Sequence, residues 1–542
     1  MLNNIERWCE CKGLKLSSTK TSALLFSTSK DRSLKRPLIV GNSPLTFSRQ
    51  AVYLGVVIDQ ELSWKAHVDN KIENARKQLF NCQRAIGKTW GLQPYGTKFL
   101  YNQVILSSLT YGSVVWADKA LKRKETLKKL NKLQYLAARM ITRGLKSSAS
   151  VNLEIIAGLL PIDIKIRSIT MLTAIRLKVN DKWDSNYQHT SRMHMSHAYE
   201  LDKSINRLHS INSGTMDWIP KETVLDRRFR TIIEARSEAV NRAELSTSDS
   251  VQIFTDGSKR NNITGAGLCV YDKGHENHAE SFYLGNMCTV FQSELFAIYR
   301  AAQWAISHIN TPSDIIILSD SQAGIKALSS TSINSIQVKT IISALNELGK
   351  SNSVSVRWVP GHMGVPGNER ADELAREGSS TLPIGPPPFV PIPAGAIKNE
   401  IRQLCIDEHR LRYEKHEISE KGRAWIAHIG NNGNTRLDTK SVTDTRILTW
   451  LFTGHSPLGY FQHKIGNFSS PNCEECPGHE ETTEHYLAKC PAYAISRQEC
   501  LGEFFMEPKD IMEQSTSKLL KFIHSTGRFS RDDLFIDPYA DN

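Results

Sequence analysis

The stretch VQIFTDGSKRNNITGAGLCVYDKGHENHAESFYLG, residues 251–285, decides the fold class. Three runs in it, VQIFTDGS, GAGLCVYD and ESFYLG, are rich in branched and aromatic side chains and separated by turn residues, so each reads as a strand. Beyond them Phe291, Leu295, Ile298, Ala302, Ala305 and Ile309 recur at the spacing of one buried helical face, which predicts a helix over 290–309. The strand DIIILSD follows at 314–320, then two helices, the strand VSVRWVP at 354–360, and a last helix capped by Asn368. Consecutive strands followed by strand–helix alternation describe an α/β domain over 249–380, with a mixed five-stranded sheet flanked by helices.

The regions on either side differ in character. LPIGPPPFVPIP, with six prolines, must be extended and marks a linker over 381–395, after which 396–542 reads as a small helical domain. Upstream, 1–180 is mainly helical after a β-rich start (SALLFS, AVYLGVVID), and 181–248 is a polar connection with few apolar clusters. The 542 residues are several times a typical domain of ~100–200, in keeping with this division.

The net charge of +12 is unevenly spread: residues 1–180 hold 30 Lys/Arg against 11 Asp/Glu, whereas 251–380 hold 10 against 12. Between Lys119 and Lys146 ten basic residues and the single acid Glu125 are interleaved with Leu127, Leu130, Leu133, Leu136 and Met140. That pattern fits a basic amphipathic helix lying along a phosphate backbone, and equally a solvated charged face. Composition excludes collagen-like, repeat and disordered classes. No apolar run reaches the ~18 residues that span a bilayer, and MLNNIERWCECKGLKL lacks the apolar core of a secretion signal, so a cytoplasmic or nuclear, non-secreted protein is expected.

Chemistry-bearing residues are placed by the same pattern. Glu294 lies on or beside the apolar stripe of its helix, Asp256 ends a strand and is followed by Gly257, and Asp320 ends another. Asp372 belongs to the last helix, and His362 sits before it in VPGHMGVPGNE, a Gly/Pro loop with little regular structure. Singly, Asp256 also fits a turn residue, Asp320 a helix cap, Glu294 a surface position and His362 an ordinary loop histidine. In the joint order, adjacent strand ends of an open α/β sheet bring the two aspartates together, with helices supplying Glu294 and Asp372. Four carboxylates would be neutralised by two divalent cations, and all-oxygen donors suit Mg²⁺ or Mn²⁺.

The segments FTDGSK, FQSELFAIYRAAQW, ILSDSQAGIKAL and VRWVPGHMGVPGNERADELA together resemble type 1 ribonuclease H over residues 251–380. The resemblance implies a ribonuclease H-like fold and endonucleolytic hydrolysis of the RNA strand of an RNA–DNA hybrid by two Mg²⁺. Asp256, Glu294, Asp320 and Asp372 would be the catalytic acids and metal ligands, and His362 a mobile proton shuttle. The basic extra helix that some members use to grip substrate is absent from the pattern. WCECKGLKLSSTKTSALLFS with AVYLGVVIDQELSWKAHVD resembles the palm end and thumb of a non-LTR retrotransposon (jockey/R1-like) reverse transcriptase. The aromatic-x-Asp-Asp of that polymerase is missing, which implies a truncated copy or a gene model that begins late, and no polymerisation.

Near the C-terminus, Cys473-x2-Cys476-x8-His485-x4-Cys490 has the donor types and pairing of one structural Zn²⁺ site, with reduced core cysteines as the alternative. Together with LFTGHSPLGYFQHKIG it resembles the tail of the same retroelements. The reading is therefore a retroelement-derived hybrid ribonuclease that binds nucleic acid; its rivals are a catalytically idle nucleic-acid-binding remnant and a nuclease acting on DNA alone. Oligomeric state is left open by the sequence.

Overall fold

The structure is a computed structural model that describes residues 2–26, 38–40, 43–45, 47–86, 91–179, 216–243, 250–381, 385–386, 388–415 and 441–529. Its two compact units are Leu172–Arg402, and Met1–Met171 together with Gln403–Asn542.

In the first of these, the strands are β1 (Arg230–Ile232), β2 (Val251–Arg260), β3 (Ile263–Asp272), β4 (His275–Gly285), β5 (Asp314–Ser319) and β6 (Ser353–Trp358). They form one sheet in the order β4-β3-β2-β5-β6-β1, with β4, β3 and β2 antiparallel and β2, β5, β6 and β1 parallel. The mixed sheet is thus as expected but has six strands among the described residues. The sixth comes from the segment read as a connection. The described part of that segment, 216–243, is integral: Phe229 is buried in the core, and Asp217 accepts from Ser335 Oγ and Gln337 N at the start of a helix.

Four helices, α1 (Val290–His308), α2 (Gln322–Ser329), α3 (Ile336–Leu348) and α4 (Pro366–Ser380), cover the sheet. Alternation along the strands decides what each face meets. Ile253, Ile315 and Ile317 point toward Leu295, Ile298 and Ala302 of α1 and Ile341 and Leu345 of α3, while Phe254, Ile316 and Leu318 cluster with Ala371 and Leu374 of α4. Contact between α4 and β3 is direct, since a Cβ on Gly267 would lie 2.5 Å from Ala375 N. Only two helices, α2 and α3, lie between β5 and β6, as read from the sequence.

Three local expectations are corrected. Phe291 is surface-exposed although Leu295, Ile298, Ala302 and Ala305 form the buried stripe, because in the first turn of α1 it is Gln292 and Ser293 that face inward. The last helix starts at Pro366 with Val365 as N-cap, so Asn368 is a buried residue inside it and not its cap; proline at N1 needs no N–H and presets φ. The expected linker is partly docked: Pro391 O accepts from Gln292 Nε2 at 2.7 Å, and Ile392–Pro393 pair with Met216–Asp217.

The second unit is mainly helical. AVYLGVVID is a hairpin, Gln50–Tyr53 with Val56–Asp59, whose turn places Leu54 and Gly55 at positive φ; the described residues of SALLFS show only an isolated bridge, Ala23 with Phe47. The basic segment contains the helix Lys124–Thr142, with Lys124, Lys128 and Lys132 exposed at four-residue spacing. Its last turns are buried all round, so Arg139 and Arg143 do not join the basic face; Arg143 donates to Leu92 O at 2.5 Å. The C-terminal region does not stand alone as a small domain. Ile155 and Ile156 share a core with Leu448, Leu451, Tyr486 and Phe522, and Arg412 grips Asp163 through two bonds of 2.9 and 2.7 Å. No described helix is long and apolar enough to cross a membrane.

Candidate active site

Asp256 lies on β2 where pairing with β5 stops. Thr255 is opposite Ser319, and beyond this point β2 runs on to Arg260 against β3 alone. The strand therefore does not end at Asp256, as its sequence suggested; one of its two neighbours does. Asp320 is the first residue past β5, so the two carboxylates leave adjacent parallel strands at one level. At Gly257 the helix α1 comes so near that a Cβ would lie 2.5 Å from Glu294 N and 2.9 Å from its Cγ. This brings Glu294 beside the aspartates. The start of α1 is fixed by a capping box, in which Thr289 Oγ1 accepts from Gln292 N and the Gln292 side chain accepts from Thr289 N.

Asp256, Glu294 and Asp320 are all raised, and Asp372 bears on both aspartates. Asp256, 7% exposed, is pushed up to about 8, by burial first and then by Asp320, Asp372 and Glu294. Burial also raises Asp320, with Asp372 adding to it, while a hydrogen bond with Asp256 and the nearby His362 act in the opposite sense. Glu294 is raised by burial and by Asp320, and held back by its hydrogen bond from Ser321 Oγ. Asp372, on the second turn of α4, pairs with Arg376 one turn later at 2.5 Å. His362 is exposed at φ 56° in the loop before α4, and that loop passes close over Asp320: a Cβ on Gly361 would lie 2.9 Å from Asp320 Oδ2.

Burial and mutual repulsion raise Asp256, Glu294 and Asp320 above the usual carboxylate range, and carboxylate oxygens gathered this way suit a hard divalent cation. The RNase H family model matches residues 248–380. Ribonuclease H of Pseudomonas entomophila (strain L48) is 30% identical over 145 residues, 24% of this chain and 94% of that protein. Ribonuclease H of Pseudomonas putida (strain GB-1) is 31% identical over 145 residues with the same coverage. The chain belongs to the ribonuclease H family. The crystal structure of RNase H1 from the halophilic archaeon Halobacterium salinarum NRC-1 aligns at 26% identity with 24% of this chain and 96% of that chain, TM-score 0.21.

Two further residues act on the acids of this ribonuclease H domain and were not singled out in the sequence. Ser321 is the N-cap of α2, accepting from Gly324 N at 3.1 Å, and its hydroxyl proton goes to Glu294 Oε2. The capping role considered for Asp320 in SDS thus belongs to its neighbour. Arg376 is the second; its i,i+4 relation to Asp372 within ADELAR was the available signal. Trp358 Nε1 donates to Asp320 O at 3.1 Å, fixing the backbone at the end of β5.

In the other unit, Cys473, Cys476, His485 and Cys490 bring their ligand atoms within 4.8 Å of one another. Cys476 Sγ lies 3.0 Å from His485 Nε2 and 3.6 Å from Cys490 Sγ, and all four residues are buried or half-buried. None of the cysteines forms a disulfide. The group is a Cys3His arrangement that could hold a metal ion, with backbone support: Cys473 N donates to His479 O at 2.8 Å and Cys490 N to His485 O at 2.6 Å.

Proposed function

We propose that the chain hydrolyses the RNA strand of RNA–DNA hybrids endonucleolytically, with Asp256, Glu294, Asp320 and Asp372 holding two Mg²⁺, or Mn²⁺ in their place. The observation that carries this is the electrostatic influence of Asp320, Asp372 and Glu294 on Asp256, acids supplied from two strands and two helices whose shared negative charge calls for cations. When bound, a pair of divalent cations supplies an activated water and stabilises the leaving oxygen.

The chain's own residues have separable parts in this. Asp256 and Asp320 hold the centre of the site from adjacent strands. Ser321 fixes the orientation of the Glu294 carboxylate, and Arg376 restrains Asp372 until substrate and cations compete for it. His362, exposed on a loop that passes over Asp320, moves a proton to or from solvent as product leaves.

The finer context belongs to the same proposal. The chain derives from a non-LTR retroelement, residues 1–180 being the palm end and thumb of a reverse transcriptase; the exposed Lys124, Lys128 and Lys132 suit contact with a phosphate backbone. Cys473, Cys476, His485 and Cys490 hold one structural Zn²⁺. Free cysteines fit a reducing compartment, cytoplasm or nucleus. An idle nucleic-acid-binding remnant is the less favoured reading, because such a remnant has no need of four intact acids in one place.

Incubating the full chain and Mg²⁺ with labelled hybrid, duplex RNA and duplex DNA tests the reading. Cuts are expected only in the RNA strand of the hybrid. Cutting of duplex DNA would replace the proposal with the DNA-nuclease reading, and no cutting of any substrate would leave the idle remnant.

A further inference from the structure

Arg497 is among the most deeply buried side chains of its unit, at 0% exposure, and has no carboxylate partner among the described residues. Its guanidinium is spent on backbone carbonyls. Nε donates to Leu487 O at 2.8 Å, Nη1 to Phe504 O at 2.6 Å, Nη2 to Tyr486 O at 3.2 Å, and both terminal nitrogens to Cys490 O at 3.3 and 3.2 Å. The Phe522 ring lies 5.4 Å away. Every hydrogen bond is satisfied, yet the charge is not.

Burying an uncompensated cation is costly, and arginine cannot escape by losing its proton. The other buried charges nearby cancel: Glu481 accepts from Arg528 Nε and Nη2 and from Gly459 N. Glu474, Glu475 and Glu480 are exposed, where water screens them. What remains beside Arg497 is the cysteine–histidine group, since Cys490 is a direct contact and Arg497 bears on His485 as well. With neutral thiols this neighbourhood carries +1. Three thiolates, one neutral imidazole and a Zn²⁺ sum to −1, which brings it to zero.

We propose that Arg497 is the charge partner of the metal–thiolate centre formed by Cys473, Cys476, His485 and Cys490, a positioning residue that favours the metal-loaded state through its charge. The inference depends on the zinc reading above. Arg497 also grips the carbonyls of the turn carrying His485 and Cys490, so its charge must be separated from its bonding.

Two substitutions of the full chain do this. Arg497→Lys keeps the charge and loses most of the fork, whereas Arg497→Gln keeps donors for two carbonyls and loses the charge. Zinc affinity is measured by competition with a chromophoric chelator, and cobalt(II) absorption reports whether the same donors are used. Arg497→Lys is expected to bind zinc within a few-fold of the unmodified chain, and Arg497→Gln roughly 10–100-fold more weakly. Arg497→Gln binding as tightly as Arg497→Lys, or more tightly, overturns the proposal. If the unmodified chain takes up neither zinc nor cobalt, the zinc reading itself fails and this inference with it, visible in that arm alone. Should Arg497→Gln not fold even with zinc, Arg497→Met takes its place, keeping a stem packed against Phe522 and losing the charge. Zinc binding roughly 10–100-fold weaker than that of Arg497→Lys supports the charge coupling, and equal binding overturns it.

Discussion

The carboxylate group and the cysteine–histidine group, both proposed here as places for cations, are built in opposite ways. The carboxylates are spread from residue 256 to residue 372 and meet because two parallel strands and two helices, each with its own apolar contacts, set them together. The thiols and imidazole fall between 473 and 490, on irregular chain and one short helical turn. At the first site the fold exists before the metal and carries the expense of crowding four acids. At the second a bound metal would be part of what folds the chain. A hard cation held this way can be exchanged and used, whereas a soft-ligand site with every position filled by protein is structural.

Breaking each site should therefore do different things. Asp320→Asn is expected to lower hybrid cleavage by at least ~10³-fold, since one lost charge unbalances the cations at the reacting centre. Its melting temperature in chelator should equal or exceed that of the unmodified chain, because a like charge has been removed from the cluster. Wild-type cleavage rates would overturn the site, and a collapse of the fold would overturn the contrast.

Cys476→Ser should show the converse. One zinc per chain is expected to be lost, with stability of that unit falling by several kcal/mol, roughly, because binding energy there is folding energy. Hybrid cleavage with Mg²⁺ should stay within about twofold. Metal analysis and calorimetry check the first part, and an initial rate checks the second.

His362→Ala sharpens the comparison within the carboxylate site. A proton shuttle outside the metal ligands contributes roughly 10²-fold where proton transfer limits turnover, so cleavage should slow without ceasing. Complete loss would make His362 a ligand or a structural residue.

The smallest effect concerns a buried acid at neither site. Glu154 is pushed up to about 7 by burial, with a hydrogen bond from Gln134 opposing and Asp163 adding to the rise. The folded state therefore binds its proton more tightly than the unfolded chain, and the stability linked to it is full below about pH 4.5 and lost as pH rises to about 7. Glu154→Gln should flatten that slope and gain on the order of 1–3 kcal/mol at pH 8. Denaturant midpoints at pH 5 and pH 8 give the answer; parallel curves for the two proteins would contradict it.

Legibility in the sequence followed the range of the interactions. Asp256, Glu294 and Asp372 could be placed because each lies in a periodic element, Asp320 because it directly follows one, and the cysteines and His485 because their spacing is local. The strand Arg230–Ile232 could not, since three residues at a sheet edge carry no period to read. Nor could the burial of Arg139 and Arg143, where an all-round buried helix end looks in sequence like one more stretch of basic face. Ile155 and Ile156 read as a helix, but nothing local says that their partners lie some 300 residues later, among Leu448 and Tyr486. Ser321 and Arg376 escaped notice because a hydroxyl beside a carboxylate and an i,i+4 ion pair are common where no chemistry occurs.

The central claim, that four carboxylates work by holding divalent cations, is tested most directly by the Mg²⁺ dependence of hybrid cleavage. Single-turnover cleavage of a labelled hybrid by the full chain would be followed over a Mg²⁺ series, starting from protein freed of loosely held metal by EDTA. The account predicts no cleavage without added divalent cation and a rise steeper than first order as two are taken up. Undiminished cleavage in EDTA would contradict it.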